Sequence, residues 1–513
     1  MRKLSFLLLT FLLSAACGST LTSASLQTSA AKARDPRSLL PQLEQYIQKG
    51  MAQTKVPGLA VAVVYKDEVI FQRGFGLRDS ARPELIDVDT VFQIASFSKP
   101  IASSVVAALV STGDANWDDR IQDLDPDFQL SDAQATQRLT IRDLLSHRSG
   151  LPEQSGDMLE DLGYDRTEIL RRLRLLPLNK PFRKVYGYSN FGFTEGAFAP
   201  VKHMGRRWED ISAERLYSPL SMSATSSRYS DYENAANKAA IHVFIDGNPV
   251  SRYQRIPDSE SPAGGVSSSV RDLTNWLRME MKGGVFNGQR IIDAAALNET
   301  RKPVILRDPK IPNEYYGLGW NVALDANGRK TLSHSGAFFL GTGTTVRFSP
   351  SEQLGIIALA NTTPVGLPEA IARAFFDLYE TGAISQDWIS LYQAAFQAMV
   401  DKAQNFSPDY SKLTPPSSPA PAQPAQAYTG RYYNEYYGEL TIEQESHGQL
   451  TLHLPPRGTR YELTHWDGDL FTYFFAAESN TGVRGVRFST NNGVRQVQVE
   501  NLTEASNVFT ERP

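Results

Sequence analysis

Hydrophobic and polar positions follow several different rhythms along this chain, and each change of rhythm marks a boundary. Residues 38–53 place Leu39, Leu40, Ile47 and Met51 at helix-like spacing. After Pro57-Gly58, the almost wholly apolar run 59–65 reads as a central strand covered on both faces. Lys66-Asp67 reads as a turn, and 69–74 as the returning strand of a hairpin. A helix is expected from about Ser96, with Ile101, Val105, Val106, Ala108 and Leu109 following. From about 114 to 237 helical and loop patterns prevail: a capped helix in 139–147, a basic amphipathic helix at 166–175, and a short helix at 193–199 that Pro200 ends or kinks. Strand signals return at 240–244. A loop at 261–268 leads into a helix at 270–281, and strands follow at 316–322, 331–333, 343–348 and 354–360 before a helix at 367–379. The expected fold class is α+β: an antiparallel sheet flanked by helices, with an all-helical insertion.

Beyond this layer the pattern changes twice. Pro415, Pro416, Pro419, Pro421 and Pro424 stand among Ser, Ala and Gln, the composition of a stiff, solvated linker. From 427 onward, short alternating runs at 438–443, 449–454, 460–464, 470–475, 483–489 and 494–499 are separated by turns such as Asp467-Gly468 and Asn491-Asn492-Gly493. Six or more strands at this spacing predict a small C-terminal antiparallel β-barrel.

Length and composition narrow the class. A chain of 513 residues exceeds one compact core, and 41% hydrophobic with 21% charged residues is ordinary for globular protein. The net charge of −4 becomes −6 without Arg2 and Lys3, and no basic run is present, which argues against a nucleic-acid partner. The N-terminus reads as an export signal: Arg2-Lys3, then the apolar stretch 4–13, too short to span a bilayer. Cys17 is the only cysteine, so no intrachain disulfide forms. Its place after the apolar stretch resembles a bacterial lipoprotein box, although Ser14 stands where that box prefers Leu. Cleavage near Ala24 is the alternative. The expected organisation is an export signal (1–24), a tether (25–37), a main domain (38–405), a Pro-rich linker (406–426) and the barrel (427–513). The mature protein is expected outside the cytoplasm of a bacterium, in the periplasm, at the outer membrane or secreted, touching a membrane only through a lipid on Cys17.

Three motifs carry candidate chemistry. Ser96 and Lys99 form a Ser-x-x-Lys pair, stacked on one face if a helix starts there. A hydroxyl becomes a nucleophile when a base takes its proton, and a desolvated lysine can serve. Pro100 fits only at a helix start, since it has no N–H to give. Next, Tyr188-Ser189-Asn190 places a phenol able to shuttle a proton beside an amide able to orient Lys99 or a substrate carbonyl. Third, His334-Ser335-Gly336-Ala337 ends one strand beside the next. Gly336 permits close substrate approach, and the Ala337 N–H can pair with that of Ser96 as an oxyanion hole. The other histidines show no metal-ligand spacing, and no Gly-x-Ser-x-Gly elbow is present. His147 follows a helix and precedes Pro152, and reads as structural. Tyr432, Tyr433, Tyr436 and Tyr437 read as barrel packing or as a ligand groove.

In this order, and with Val56-Pro57-Gly58, Leu144-Leu145-Ser146-His147 and Ala263-Gly264-Gly265 around them, the motifs resemble the serine β-lactamase and penicillin-binding-protein superfamily, over residues 38–400. The closest branch is that of class C enzymes, D-Ala carboxypeptidases and esterases. The resemblance implies Ser96 as nucleophile, Lys99 and Tyr188 managing protons through an acyl-enzyme, and Asn190 and His334 positioning a small ester, amide or D-amino-acid peptide. No metal or organic cofactor is implied. The C-terminal part is similar to the lipocalin-like barrels appended to some of these hydrolases. One departure stands out: penicillin-active members carry Lys-Thr-Gly or Lys-Ser-Gly at the third motif, and here the Lys is His334. A histidine near its reference pKa of about 6.5 is largely neutral at pH 7 and offers no permanent cation to a substrate carboxylate. This favours esterase, amidase or peptidase over β-lactamase or penicillin-binding carboxypeptidase. A reading of another class is a non-catalytic binding protein on the same fold, against which the intact Ser96 and Lys99 argue.

Overall fold

The computed structural model describes residues 34–404, 407–478 and 481–512. The proposed export signal, Cys17 and most of the tether lie outside them. The chain divides into two compact units. One takes the described residues up to Asp127, Gln134–Glu153 and Asn179–Ala398. The other takes Phe128–Ala133, Gln154–Leu178 and the described residues from Met399 on.

The first unit is built on an eight-stranded antiparallel sheet: β1 (Gly58–Tyr65), β2 (Glu68–Gly76), β3 (Ile305–Leu306), β4 (Glu314–Tyr316), β5 (Asn321–Leu324), β6 (Lys330–Phe338), β7 (Thr342–Ser349) and β8 (Leu354–Ala360). Their order is β2-β1-β8-β7-β6-β5-β4-β3, so the first hairpin sits beside the last strand. Lys66 and Asp67 both have positive φ (49° and 71°), the two-residue turn whose twist suits a hairpin. Helices cover both faces. On one, α1 (Leu40–Thr54) packs Leu43, Tyr46 and Ile47 inward near α6 (Leu367–Thr381). On the other, α5 (Val270–Met281) brings Leu277 and Met281 so close to Gly355 that a Cβ there would collide with Met281. That double cover is why β1 and β8 are continuously apolar. Under α5, α2 (Ser98–Thr112) is buried without a break from Ser98 to Leu109, with Phe97, Trp276 and Trp320 packed ring to ring.

Local boundaries differ from the sequence expectation where caps and glycines intervene. The helix expected at 193–199 runs as α4 (Asn190–His203), because the Ser189 hydroxyl accepts from the Gly192 N–H and starts it earlier; Pro200 is accommodated near its C-terminal end. The strand expected at 316–322 is instead two strands, β4 and β5, paired antiparallel across a turn containing Gly319 (φ 85°). A Cβ at Gly319 would lie 2.4 Å from the Ser103 hydroxyl and 2.8 Å from the Lys99 carbonyl oxygen, so glycine lets this turn rest against α2. α7 (Trp388–Gln404) was not anticipated.

One buried acid in this unit predicts a pH effect. Glu369, on α6, is 6% exposed beside Ser335, and burial raises its carboxyl to about 7. The folded state therefore binds a proton more tightly than the unfolded chain. Its contribution is fully present below the unfolded value near 4.5 and is lost as pH rises to about 7, a change of up to roughly 3 kcal/mol. Glu369→Gln should flatten that part of a stability-versus-pH curve measured by urea unfolding between pH 4.5 and 8; an unchanged slope would contradict it.

The second unit holds nine antiparallel strands: β9 (Gly430–Asn434), β10 (Gly438–Gln444), β11 (Leu450–Leu454), β12 (Thr459–Glu462), β13 (Thr464–Asp467), β14 (Leu470–Ala476), β15 (Thr481–Asn491), β16 (Val494–Val499) and β17 (Val508–Glu511). Their order, β12-β11-β10-β9-β17-β16-β15-β14-β13, begins and ends on strands separated only by Leu463, so the sheet is a nearly closed barrel. Tyr432, Tyr436 and Tyr437 are buried in it. The Pro-rich stretch is pinned to it, with the Ala420 N–H on Asp467 and Gln423 on Asp469. Residues 154–178 belong to this unit. The Glu504 carboxylate accepts from the Gly156 and Met158 N–H groups, and the Tyr164 hydroxyl donates to the Tyr437 carbonyl at 2.6 Å. Among the described residues no helix is long and apolar enough to cross a membrane.

Candidate active site

β1 and β8 carry no candidate chemistry; the site forms where α2 begins. The chain enters α2 through a short turn, Ala95–Phe97, in which Ala95 takes a φ of 49°. A left-handed conformation is costly for a residue with a Cβ and persists where its surroundings enforce it. Here the Ile94 carbonyl accepts from both the Phe97 N–H (3.2 Å) and the Thr344 hydroxyl (2.8 Å). The turn presents a partly exposed Ser96 at the head of the helix.

Lys99 follows on the next turn with its side chain fully buried. Its Nζ lies 2.8 Å from Asn190 Oδ1, 3.0 Å from the Ala263 carbonyl oxygen and 3.1 Å from Ser96 Oγ. The first two only accept, so they take two N–H groups and leave the third position of the nitrogen facing Ser96. With Lys99 charged that position is a donor; with Lys99 neutral it is the lone pair that would receive the serine proton. The Tyr188 hydroxyl also reaches Ser96 Oγ, at 2.8 Å, and the Lys99 ammonium lies 4.6 Å from the centre of its ring. Ser96 Oγ thus has two groups able to move a proton, both within direct reach.

The loop bearing Tyr188 and Asn190 is moulded on His147. The His147 carbonyl accepts from the Gly187 N–H (2.8 Å), and its Nδ1 from the Ser189 N–H (3.2 Å). Its ring lies against Tyr188, Tyr186 and Tyr316. Burial first, then the charge of Lys99, holds this imidazole well below the usual histidine pKa. The geometry makes His147 a template for the Tyr-x-Asn loop. Asp143, on α3 (Ile141–Leu145), fixes the same loop: fully buried, it accepts from Arg148 Nε at 2.7 Å and Arg183 Nη2 at 2.7 Å.

His334, Gly336 and Ala337 come from β6. Past Ser333 this strand has no partner on the β5 side and faces the nucleophile turn. A Cβ on Gly336 would lie 2.1 Å from the Ile94 carbonyl oxygen and 2.9 Å from the Phe97 nitrogen, so only glycine lets β6 pass this close. Ala337 follows, half-buried, opposite Gly343. His334 is 4% exposed. Its Nδ1 lies 2.8 Å from the Ser335 carbonyl oxygen, which can only accept, so Nδ1 carries the proton. Nε2 then accepts from the Tyr316 hydroxyl at 2.9 Å. Burial, and next the nearby Lys99, push this imidazole down to about 3. His334 is therefore neutral at pH 7, with both ring nitrogens engaged inside the protein.

Sequence reasoning did not single out Tyr316, the Ala263 carbonyl or Asp143. Tyr316 carries only a strand signal in the sequence, and Ala263 only its place in the Ala263-Gly264-Gly265 block. The Thr140-x-x-Asp143 capping box was the visible sign that Asp143 is a fixed, buried acid.

This architecture has counterparts. The Beta-lactamase family matches residues 43–377, well over half of the chain. The chain belongs to that family. A domain of unknown function, DUF3471, matches residues 414–511, which contain the barrel. Among similar proteins, an Unguisins hydrolase, ungD', from Aspergillus campestris is 25% identical over 417 residues, spanning 78% of this chain and 76% of its own. Penicillin-binding protein 4 from Amycolatopsis lactamdurans is 27% identical over 290 residues, 55% of this chain and 75% of its own. Two solved structures share the fold. The octameric penicillin-binding protein homologue from Pyrococcus abyssi has a TM-score of 0.59 at 18% identity, covering 92% of this chain and 100% of its own. The class C beta lactamase from Rhodobacter sphaeroides has 0.54 at 20%, covering 64% and 96%. Family and relatives together make this protein a serine hydrolase.

Proposed function

We propose that this hydrolase acts outside the cytoplasm, delivered by residues 1–24, and cleaves small esters or amides, D-amino-acid peptides among them, through an acyl-enzyme on Ser96. The observation that carries the reading is the contact of Ser96 Oγ with both Lys99 Nζ and the Tyr188 hydroxyl. In this reading Lys99 and Tyr188 take the serine proton and return it to the leaving group. The N–H groups of Ser96 and Ala337 hold the oxyanion, Asn190 keeps Lys99 aimed, and Gly336, whose missing Cβ is replaced by the Ile94 carbonyl and not by open space, lets β6 bring Ala337 up to the Ser96 turn. His334 acts indirectly, through the buried Tyr316, whose ring packs against His147 and Tyr186. A neutral, enclosed His334 gives a substrate carboxylate no cation at the third motif, which supports an ester or amide substrate over a β-lactam. Relatives named as a hydrolase and as a penicillin-binding protein support acyl-transfer chemistry in general.

Intact-mass spectrometry after a fluorophosphonate probe, with p-nitrophenyl acetate and a chromogenic cephalosporin turned over in parallel, tests it. A Ser96 adduct with ester turnover and a silent cephalosporin is expected. Rapid cephalosporin turnover would overturn the substrate assignment; no adduct and no turnover of either compound would overturn the enzymatic one. The same spectrum of protein recovered from a bacterial host reads whether Cys17 has become a lipidated N-terminus or cleavage falls near Ala24.

A further inference from the structure

The face of β6 that looks away from Ser96 is polar where the fold calls for apolar side chains. A sheet face covered by helices is normally lined with hydrophobic residues. Here Thr331, Ser333 and Ser335 of β6 point under α6 and α7, and their cross-strand neighbours continue the pattern. Ser333 stands opposite Asn321 on one side and Arg347 on the other, and Ser335 opposite Thr345. These residues line a pocket of about 110 Å³, bordered by Glu369 and Arg373 of α6 and by Trp388 and Tyr392 of α7. That is room for several waters or one small solute.

The charges in this pocket do not cancel. Arg373 Nε lies 3.4 Å from Asp377, and Arg307 lies 3.8 Å from Glu314. Arg347 has no carboxylate within ion-pair distance among the described residues, and its buried Nε has no hydrogen-bond partner. Its guanidinium lies 5.1 Å from the centre of the Phe376 ring, and the carboxylates of Glu314 and Glu380 act on it only from beyond ion-pair distance. Glu369 does not compensate it, since burial keeps that carboxyl partly protonated near neutrality. Arg347 is only half-buried, but its Nε is enclosed, and an enclosed guanidinium N–H without an acceptor is costly and is found where something supplies one.

We propose that this pocket is a binding site for a small oxyanion, a carboxylate or a phosphate, held by Arg347 with Arg373 and by the hydroxyls of Ser333, Ser335 and Thr345. Planar guanidinium groups pair with such oxyanions through two parallel hydrogen bonds. Two sources share this chemistry: inorganic phosphate, and the carboxylate that ester or amide hydrolysis would release. Ser335 lies between His334 and Gly336 on one strand, so an occupant touching it reaches the active-site strand from behind.

Melting temperature and titration calorimetry in acetate, phosphate or chloride at constant ionic strength test the proposal, on wild type, Ser96→Ala and Arg347→Met. Acetate or phosphate, but not chloride, should raise the Tm of wild type and Ser96→Ala alike. A response to acetate assigns the site to carboxylates, a response to phosphate alone to phosphate. Arg347→Met should bind at least about tenfold more weakly, as loss of a charged hydrogen-bond partner entails. Without anion it should melt no lower than wild type, because it removes an uncompensated charge. No anion-specific heat or Tm rise, an equal rise in Arg347→Met, or a rise abolished by Ser96→Ala would each overturn the proposal. If Arg347→Met does not fold, Ser333→Leu fills the pocket from the strand side and should abolish the same response.

Discussion

Lys99→Met should lower kcat/KM for p-nitrophenyl acetate by about 10²- to 10⁴-fold while leaving the fold intact, the range typical for removal of a positioned acid–base group. Methionine matches the length and apolar body of the lysine. It leaves the Ala263 carbonyl and Asn190 Oδ1 without the donor each has at 3.0 and 2.8 Å, so some loss of stability is expected as well. Circular dichroism and a fluorophosphonate labelling rate separate the two effects. A folded variant that labels Ser96 slowly has lost proton transfer, and one that labels at the wild-type rate would remove Lys99 from the mechanism. Ser96→Ala should abolish labelling altogether, and the double variant should be no worse in turnover than Ser96→Ala, because residues acting on one proton are not additive. Tyr188→Phe distinguishes the remaining base: activity surviving it and not Lys99→Met assigns the first proton transfer to the lysine.

What the sequence showed, and what it hid, follows from where each signal is local. The Ser-x-x-Lys pair, the Tyr-x-Asn triplet and His334-Ser335-Gly336 are short, so their residues could be named directly. β1 and β8 were legible because a strand covered on both faces must be continuously apolar. The helix at 270–281 was legible from its strong amphipathic period. Three barrel strands, β9, β13 and β17, lie outside the expected runs; β13 follows β12 after Leu463 alone, so no turn residue in the sequence divides the two. The placement of residues 154–178 with the barrel depends on contacts such as Glu504 to Gly156 and Met158, more than 340 positions apart, which no local pattern encodes. His334 shows the same limit in the site itself. Its type suggested a largely neutral group, but that both nitrogens are occupied depends on Tyr316, 18 residues away across the sheet.

Asp143→Ala should be the most damaging substitution to the fold among those near the site, at about 2–4 kcal/mol, from lost charge-assisted hydrogen bonds to two partly exposed arginines and a lost helix cap. The carboxylate is fully buried and caps Thr140 as well as binding Arg148 and Arg183, so its loss strands two guanidinium groups and frees a helix start. Those arginines bracket the segment that leads to Tyr188: the Arg183 N–H donates to the Arg148 carbonyl at 2.8 Å, and the Gly187 N–H donates to His147 next door. Urea unfolding should show the lost stability, and fluorophosphonate labelling well below the variant's Tm should be slowed as well, since Tyr188 and Asn190 lose their support. Adding Arg148→Met and Arg183→Met to Asp143→Ala separates the two consequences. Removing all three charges takes away the stranded cations, so much of the stability should return. Labelling should stay slow, because the geometry of the loop came from the ion pairs and not from the stability they add. Recovery of both together would mean that Tyr188 is placed by packing on His147 alone, and that Asp143 serves only the fold.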